Sequence, residues 1–107
     1  MFIKGIPASY GKAIGKVKII KNDKDLENIN TGDIIVIRKS SPLLSIVIDK
    51  ISGIIVTINS IMFHAAIIAR ESSVPCIVGV ENALNVLKEG LIIKIDADKG
   101  EITDEIE

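Results

Sequence analysis

The chain is poor in the groups on which most enzyme chemistry is built. It has one cysteine, one histidine, no tryptophan and only three aromatic residues. A single thiol, Cys76, excludes an internal disulfide and a cysteine cluster for metal. Its place in an expected buried strand makes it a small core residue. Thirteen basic residues stand against fourteen acidic ones without a long run of either sign, so there is no basic stripe for nucleic acid. The longest apolar runs fall far short of a membrane span, and Met1-Phe-Ile-Lys-Gly5 lacks the ordered regions of a signal peptide. A cytoplasmic protein with no membrane partner is expected. No Walker motif occurs, and the glycine-rich opening at 3–20 is read as turns rather than as a phosphate loop.

What remains is aliphatic. Hydrophobic residues make up 48% of the 107, and isoleucine dominates them, which favours strands. The length fits one domain, 1–107, with one core and no room for a cleft between two domains. An initial strand, a turn around Ser9 to Gly11 and a strand from Gly15 to Ile20 are expected first. Lys21 to Asn30 offers at most one amphipathic turn, and Asn30-Thr-Gly-Asp33 is a turn leading into the strand Ile34–Ile37. Ser41 and Pro42 start a helix that runs to Lys50. Near the end come a two-turn helix from Glu81 to Gly90, a strand over Leu91–Ile95, a turn, a strand Glu101–Thr103 and an acidic tail. Strands and helices alternate between β-elements at both ends, which argues for an α/β layered domain with a mixed sheet core.

The chain is organised around Gly53 to Val80. Gly53-Ile-Ile-Val-Thr57 has the continuous apolar character of a strand buried on both faces. A polar break at Asn59-Ser60 precedes a helix over roughly 63–72, which Pro75 ends, and Cys76 to Val78 resumes as a strand. His64 therefore falls at or near the N-terminus of a helix leaving a buried strand. That end presents unpaired N–H groups and the positive pole of the helix, which stabilise an anion and disfavour imidazolium. A phosphoryl group on His64 would face those N–H groups, so nucleophile and anion hole would be one element. Arg70 projects from a different face about two turns along, and Glu71 lies roughly 10 Å from His64 along the axis. Arg70 is left between a solvated or structural ion-pairing role and one at a partner interface, and Glu71 is given no chemistry.

His64-Ala-Ala-Ile-Ile-Ala-Arg-Glu71, followed by Val74-Pro-Cys-Ile-Val-Gly79, resembles the phosphohistidine signature of the phosphoenolpyruvate-utilising enzymes, which include pyruvate phosphate dikinase and phosphoenolpyruvate synthase. The resemblance implies a mobile domain of β/β/α architecture, in which a histidine carries a phosphoryl group between distant active sites. It implies that His64 is that catalytic phosphohistidine. It also implies nucleotide-binding or phosphoenolpyruvate-binding partner subunits in trans, which would hold Mg²⁺ with ATP or phosphoenolpyruvate; this chain would bind no cofactor and no metal itself. Association with further copies is left open. The residues before the histidine depart from the family, which usually has two glycines, a threonine and a small polar or cysteine residue. Here Asn59-Ser60 and Ile61-Met-Phe63 stand there, which leaves a cap by Asn59 or Ser60, and with it an earlier helix start, as an alternative.

Two other functional classes are consistent with the residues. One is a non-catalytic binding or regulatory module that keeps the fold and docks through Ile61-Met-Phe63. The other is a related swivelling domain of a dehydratase or other enzyme, in which His64 has no phosphoryl role; the intact HAAIIARE counts against it.

Overall fold

The β-branched runs become strands because a pleated backbone accommodates a branched Cβ at little rotamer cost. The computed structural model describes residues 1–104, and the acidic tail expected at 105–107 lies outside them. The described elements follow as β1 (Phe2–Lys4), β2 (Ile6–Ser9), β3 (Lys12–Ile20), α1 (Asp23–Glu27), β4 (Ile34–Ile37), α2 (Leu44–Val47), β5 (Gly53–Val56), α3 (His64–Glu71), β6 (Cys76–Val78), α4 (Ala83–Val86), β7 (Ile92–Asp96) and β8 (Glu101–Thr103).

The strands pair in the order β1-β8-β7-β3-β4-β5-β6-β2. The long strand β3 serves both halves of this order. Its first part, Lys12 to Lys16, runs antiparallel to β7, and its second part, Val17 to Ile20, runs parallel to β4. From there β4, β5 and β6 continue in parallel, each reached through a helix. Side-chain parity then divides the interior in two. Ile35, Ile37, Ile54, Val56, Cys76 and Val78 face the helices, against Leu26, Leu44, Ile48, Ala65, Ile68 and Ala69. The alternate residues Ile34, Val36, Ile55 and Ile77 face the other half of the sheet, against Ile93, Ile95, Ile102 and Ile3. The result is the α/β fold expected, with two β layers and one helical layer around a mixed sheet.

The two ends of the strand order come together at Gly5. Its end strands, β1 and β2, are consecutive in the chain, and each is short and paired on one side. The Gly5 N–H donates to the Gly100 carbonyl at 2.8 Å. Gly100 has φ +74, and a Cβ there would collide with the Gly5 carbonyl oxygen. This junction divides the expected single first strand into β1 and β2, and the next strand begins at Lys12 rather than Gly15.

Two helices are shorter than the sequence pattern predicts. The Ser41 hydroxyl accepts from the Leu43 N–H at 3.2 Å, as a cap should, but only Leu44–Val47 is α-helical. The helix expected over Glu81 to Gly90 is reduced to Ala83–Val86. Leu87 turns extended and is fully buried between the β layers, which ends the helix. Gly90, at φ +87, serves a later turn and donates its N–H to Val17 at 2.9 Å.

The two glycines generate a contrast. Gly90→Ala meets no atom within 4 Å and carries only the dihedral cost, about 1 kcal/mol. Gly100→Ala adds a backbone collision at the sheet closure and is expected to cost about 2 kcal/mol or more. Urea denaturation of both variants measures this, and equal losses would refute the closure as a steric requirement. Cys76 supplies a second test, because burial pushes its thiol from 9.0 up to about 12, partly opposed by the charge of Arg70. Stability from the protonated thiol is full below pH 9 and falls as pH rises from 9 towards 12, since only the unfolded chain ionises there. Cys76→Ala should lack that part of the alkaline slope.

Candidate functional site

Parallel strands expose their carboxyl ends along one rim, where chains leave for the next helix and where ligands bind in open α/β sheets. Here the loops after β3, β4 and β5 come side by side because those strands are neighbours in the sheet. The loop after β5 is held from several directions. Thr57 N–H donates to Ile37 O at 3.1 Å, Gly79 N–H to Ile58 O at 2.6 Å and Phe63 N–H to Ser60 O at 3.2 Å. The Arg70 guanidinium reaches back from the far end of α3 to the Ile61 carbonyl. Arg70 is thus a strut for the loop before the histidine, the structural role for which its position on another face left room.

His64 is the first residue of α3 and is exposed. Phe63 is the N-cap, at φ −59 and ψ 143, and no side chain caps the helix there. The helix begins where the sequence placed it, and the alternative of an earlier start capped by Asn59 or Ser60 is not taken. Ser60 closes a turn through its carbonyl, while the N–H groups of Ala66 and Ile67 both go to Phe63 O, at 2.9 and 3.2 Å. Those of His64 and Ala65 have no acceptor among the described residues. The helix lies close on the sheet because Ala65, Ala66 and Ala69 are fully buried beside Ile68. Ser72 is exposed at the C-cap. Of the apolar triplet, Ile61 and Met62 are 49% and 71% exposed, whereas Phe63 packs against the helix-side core.

One partner escaped the sequence reading. Ser40, in the loop after β4, lies with its Oγ 2.7 Å from His64 Nδ1. The two residues are 24 positions apart, and only the adjacency of β4 and β5 brings them together. A βαβ reading that paired these strands would have put every polar residue after Ile37 within reach of the β5 loop. With Nδ1 engaged by Ser40, Nε2 is the ring nitrogen left without a partner among the described residues. If the proton sits on Nδ1 and is donated to Ser40 Oγ, the Nε2 lone pair is free for attack. Glu71, at the other end of α3, makes no contact with this pair. Among the described residues there is no group of three or more His, Cys, Asp or Glu side chains that could hold a metal ion. No described helix is long and apolar enough to cross a membrane.

Comparison with known proteins agrees with this architecture. A probable phosphoenolpyruvate synthase of Methanothermobacter thermautotrophicus is 41% identical over 100 residues, which are 94% of this chain and 15% of that protein. The chain thus spans only a small part of that longer relative. Among solved structures, holo aconitase X of Thermococcus kodakaraensis superposes with a TM-score of 0.74 at 27% identity, covering 95% of this chain and 96% of that one. Enzyme I, solved in solution by NMR, superposes with a TM-score of 0.61 at 21% identity over 73% of this chain and 32% of that one, a likeness of fold. Residues 29–100, which include Ser40, His64 and the HAAIIARE helix, match the family described as PEP-utilising enzyme, mobile domain. The chain belongs to that family of mobile domains of phosphotransfer enzymes.

Proposed function

We propose that His64 is a phosphoryl carrier, accepting the group at Nε2 and passing it on to a second active site. The observation that carries this reading is the 2.7 Å contact of Ser40 Oγ with His64 Nδ1, at an exposed first-turn histidine. In the accepting step the Nε2 lone pair attacks phosphorus and the P–O bond of the donor breaks. Its electron pair leaves with the donor oxygen, and a P–N bond forms. The positive charge left on the ring rests on Nδ1–H, held by Ser40 Oγ. The new phosphoryl oxygens meet the N–H groups of His64 and Ala65 and the positive pole of α3. Transfer to the acceptor reverses these changes. Such catalysis depends on positioning and charge neutralisation, and the donor, the acceptor and Mg²⁺ belong to nucleotide-binding and phosphoenolpyruvate-binding partners.

A second reading, a swivelling module without carrier chemistry, draws support from the near-complete superposition on aconitase X and from the exposed Ile61 and Met62. Chemistry separates the two. With a matching nucleotide-binding partner, ATP and Mg²⁺, or a phosphoenolpyruvate-binding partner and its substrate, the chain is expected to gain one acid-labile, base-stable phosphate. His64→Ala should abolish it with an unchanged unfolding midpoint, since the exposed ring contributes little packing. Failure to take up phosphate from authentic partners would leave the module reading in its place.

Ser40→Ala removes the hydrogen bond that orients the ring but leaves the nucleophile. Phosphorylation is expected to slow by about tenfold, the equivalent of one net hydrogen bond. Single-turnover kinetics checks this, with Ser40→Thr, which keeps the hydroxyl, expected to retain the rate. An unchanged rate in Ser40→Ala would show that Ser40 is incidental.

A further inference from the structure

The Ser40 hydroxyl touches His64 in a way that the carrier chemistry leaves half unused. A hydroxyl 2.7 Å from a ring nitrogen donates to it when that nitrogen bears no proton, and the proton of the neutral ring then sits on Nε2. In that tautomer Nδ1 is a base already in contact with an alcohol, the arrangement by which a serine is made nucleophilic. The surroundings supply the other parts of a site. Ser40 lines a cleft of about 680 Å³ and His64 does not, so the serine stands between the base and a hollow of ligand size. The floor of that cleft is apolar, formed by Ile19, Ile20 and Leu84. The backbone N–H groups of Lys39, Ser40 and Ser41 have no acceptor among the described residues. A nucleophilic serine's own N–H is a usual donor to the oxyanion that its attack creates.

We infer that Ser40 and His64 form a nucleophile–base dyad that transfers the acyl group of a small carboxylic ester to water. This goes beyond the carrier reading and does not rest on it, because the nucleophile is Ser40, the base is Nδ1 and no partner is needed. Ser40 Oγ attacks the ester carbonyl carbon as its proton passes to Nδ1, and the carbonyl π pair moves to the oxygen, which meets the free N–H groups of the loop. The C–O bond to the alcohol then breaks, the leaving oxygen keeps the pair and takes the proton from Nδ1, and an acyl-serine remains. Water attacks the acyl carbon in turn and gives a proton to Nδ1. The Ser40 oxygen leaves and recovers that proton, so ester and water become acid and alcohol with nothing oxidised or reduced. The floor of Ile19, Ile20 and Leu84 fits a short aliphatic acyl chain, and Lys21, Arg38 and Lys39 on the walls add their field to the oxyanion. Nε2 has no partner among the described residues, so no third group fixes the tautomer as in a triad, and turnover is expected to be slow.

The test uses the chain alone with p-nitrophenyl butyrate and, in parallel, p-nitrophenyl acetate. Nitrophenol release is expected to saturate with butyrate, and peptide mass analysis to find one butyryl ester on Ser40. An exposed imidazole attacks aryl esters unaided, and Ser40→Ala measures that background: it should lose the adduct and lower kcat/KM at least about tenfold. His64→Ala should slow acylation of Ser40 by about a hundredfold, the loss of a general base. Both residues are exposed, so unfolding midpoints equal to the parent's are the control for folding. Leu84→Asn should lower the preference for butyrate over acetate by about fivefold, somewhat less than one well-packed methylene. The inference is overturned if the acyl group is found on His64 or a lysine and not on Ser40, if Ser40→Ala turns over like the parent, or if butyrate gains nothing over acetate, which would leave the floor no role. Acylation of Ser40 without phosphohistidine formation from authentic partners would sink the carrier reading alone, and phosphohistidine formation without acylation of Ser40 would sink this inference alone.

Discussion

Three central strands have no face turned to water, and the rest of the molecule follows from that. Every residue of β4, β5 and β6 is buried, alternating between the helix side and the second β layer. Each large aliphatic side chain so placed contributes about 1.5–3 kcal/mol, and a polar group in the same row would cost as much or more without a partner. Polar chemistry is therefore expelled from the strands to their ends. At the carboxyl rim it meets backbone that still has hydrogen bonds to offer, which is where Ser40 and His64 lie.

The residue at the helix start embodies a trade. A serine or threonine at Phe63 would cap α3 and contribute about 1 kcal/mol. Phenylalanine gives that up but packs against the helix-side core, a gain of similar or larger size for the part of the ring that is buried. The consequence reaches His64, because a cap would engage first-turn N–H groups that now have no acceptor among the described residues. Other contacts must then hold the loop rigid. The Arg70 guanidinium on Ile61 O and the Gly79 N–H on Ile58 O supply that.

Much of this was legible in the sequence where the pattern was local. The strands Ile34–Ile37 and Gly53–Val56, the helix opening at His64 and the strand Cys76–Val78 are continuous apolar or alanine-rich runs bounded by turn residues. Elements set by distant contacts were not legible. The division of the first strand at Gly5 depends on Gly100, and the early end of α4 depends on a place for Leu87 between the β layers. Ser40 belongs to the same class. Its loop carries no signal of its own, and its meaning comes from the strand next door. Propensity speaks for neighbours in sequence, while sheet order decides neighbours in space.

Sheet order also explains why the fold alone cannot decide the chemistry. The likeness to aconitase X and to Enzyme I is a likeness of layers and strand order, and any chain with this order brings the loops after β3, β4 and β5 together. What those loops carry is free to vary, because His64, Ser40, Arg38 and Lys39 are exposed and support little of the core. A carrier could lose its histidine and keep its stability, whereas a lesion at the Gly5 and Gly100 closure would disturb every strand whatever the loops contain. The functional reading therefore rests on two side chains meeting across the rim. Folding imposes no requirement on either, so their presence together at one end of the sheet calls for an explanation in function.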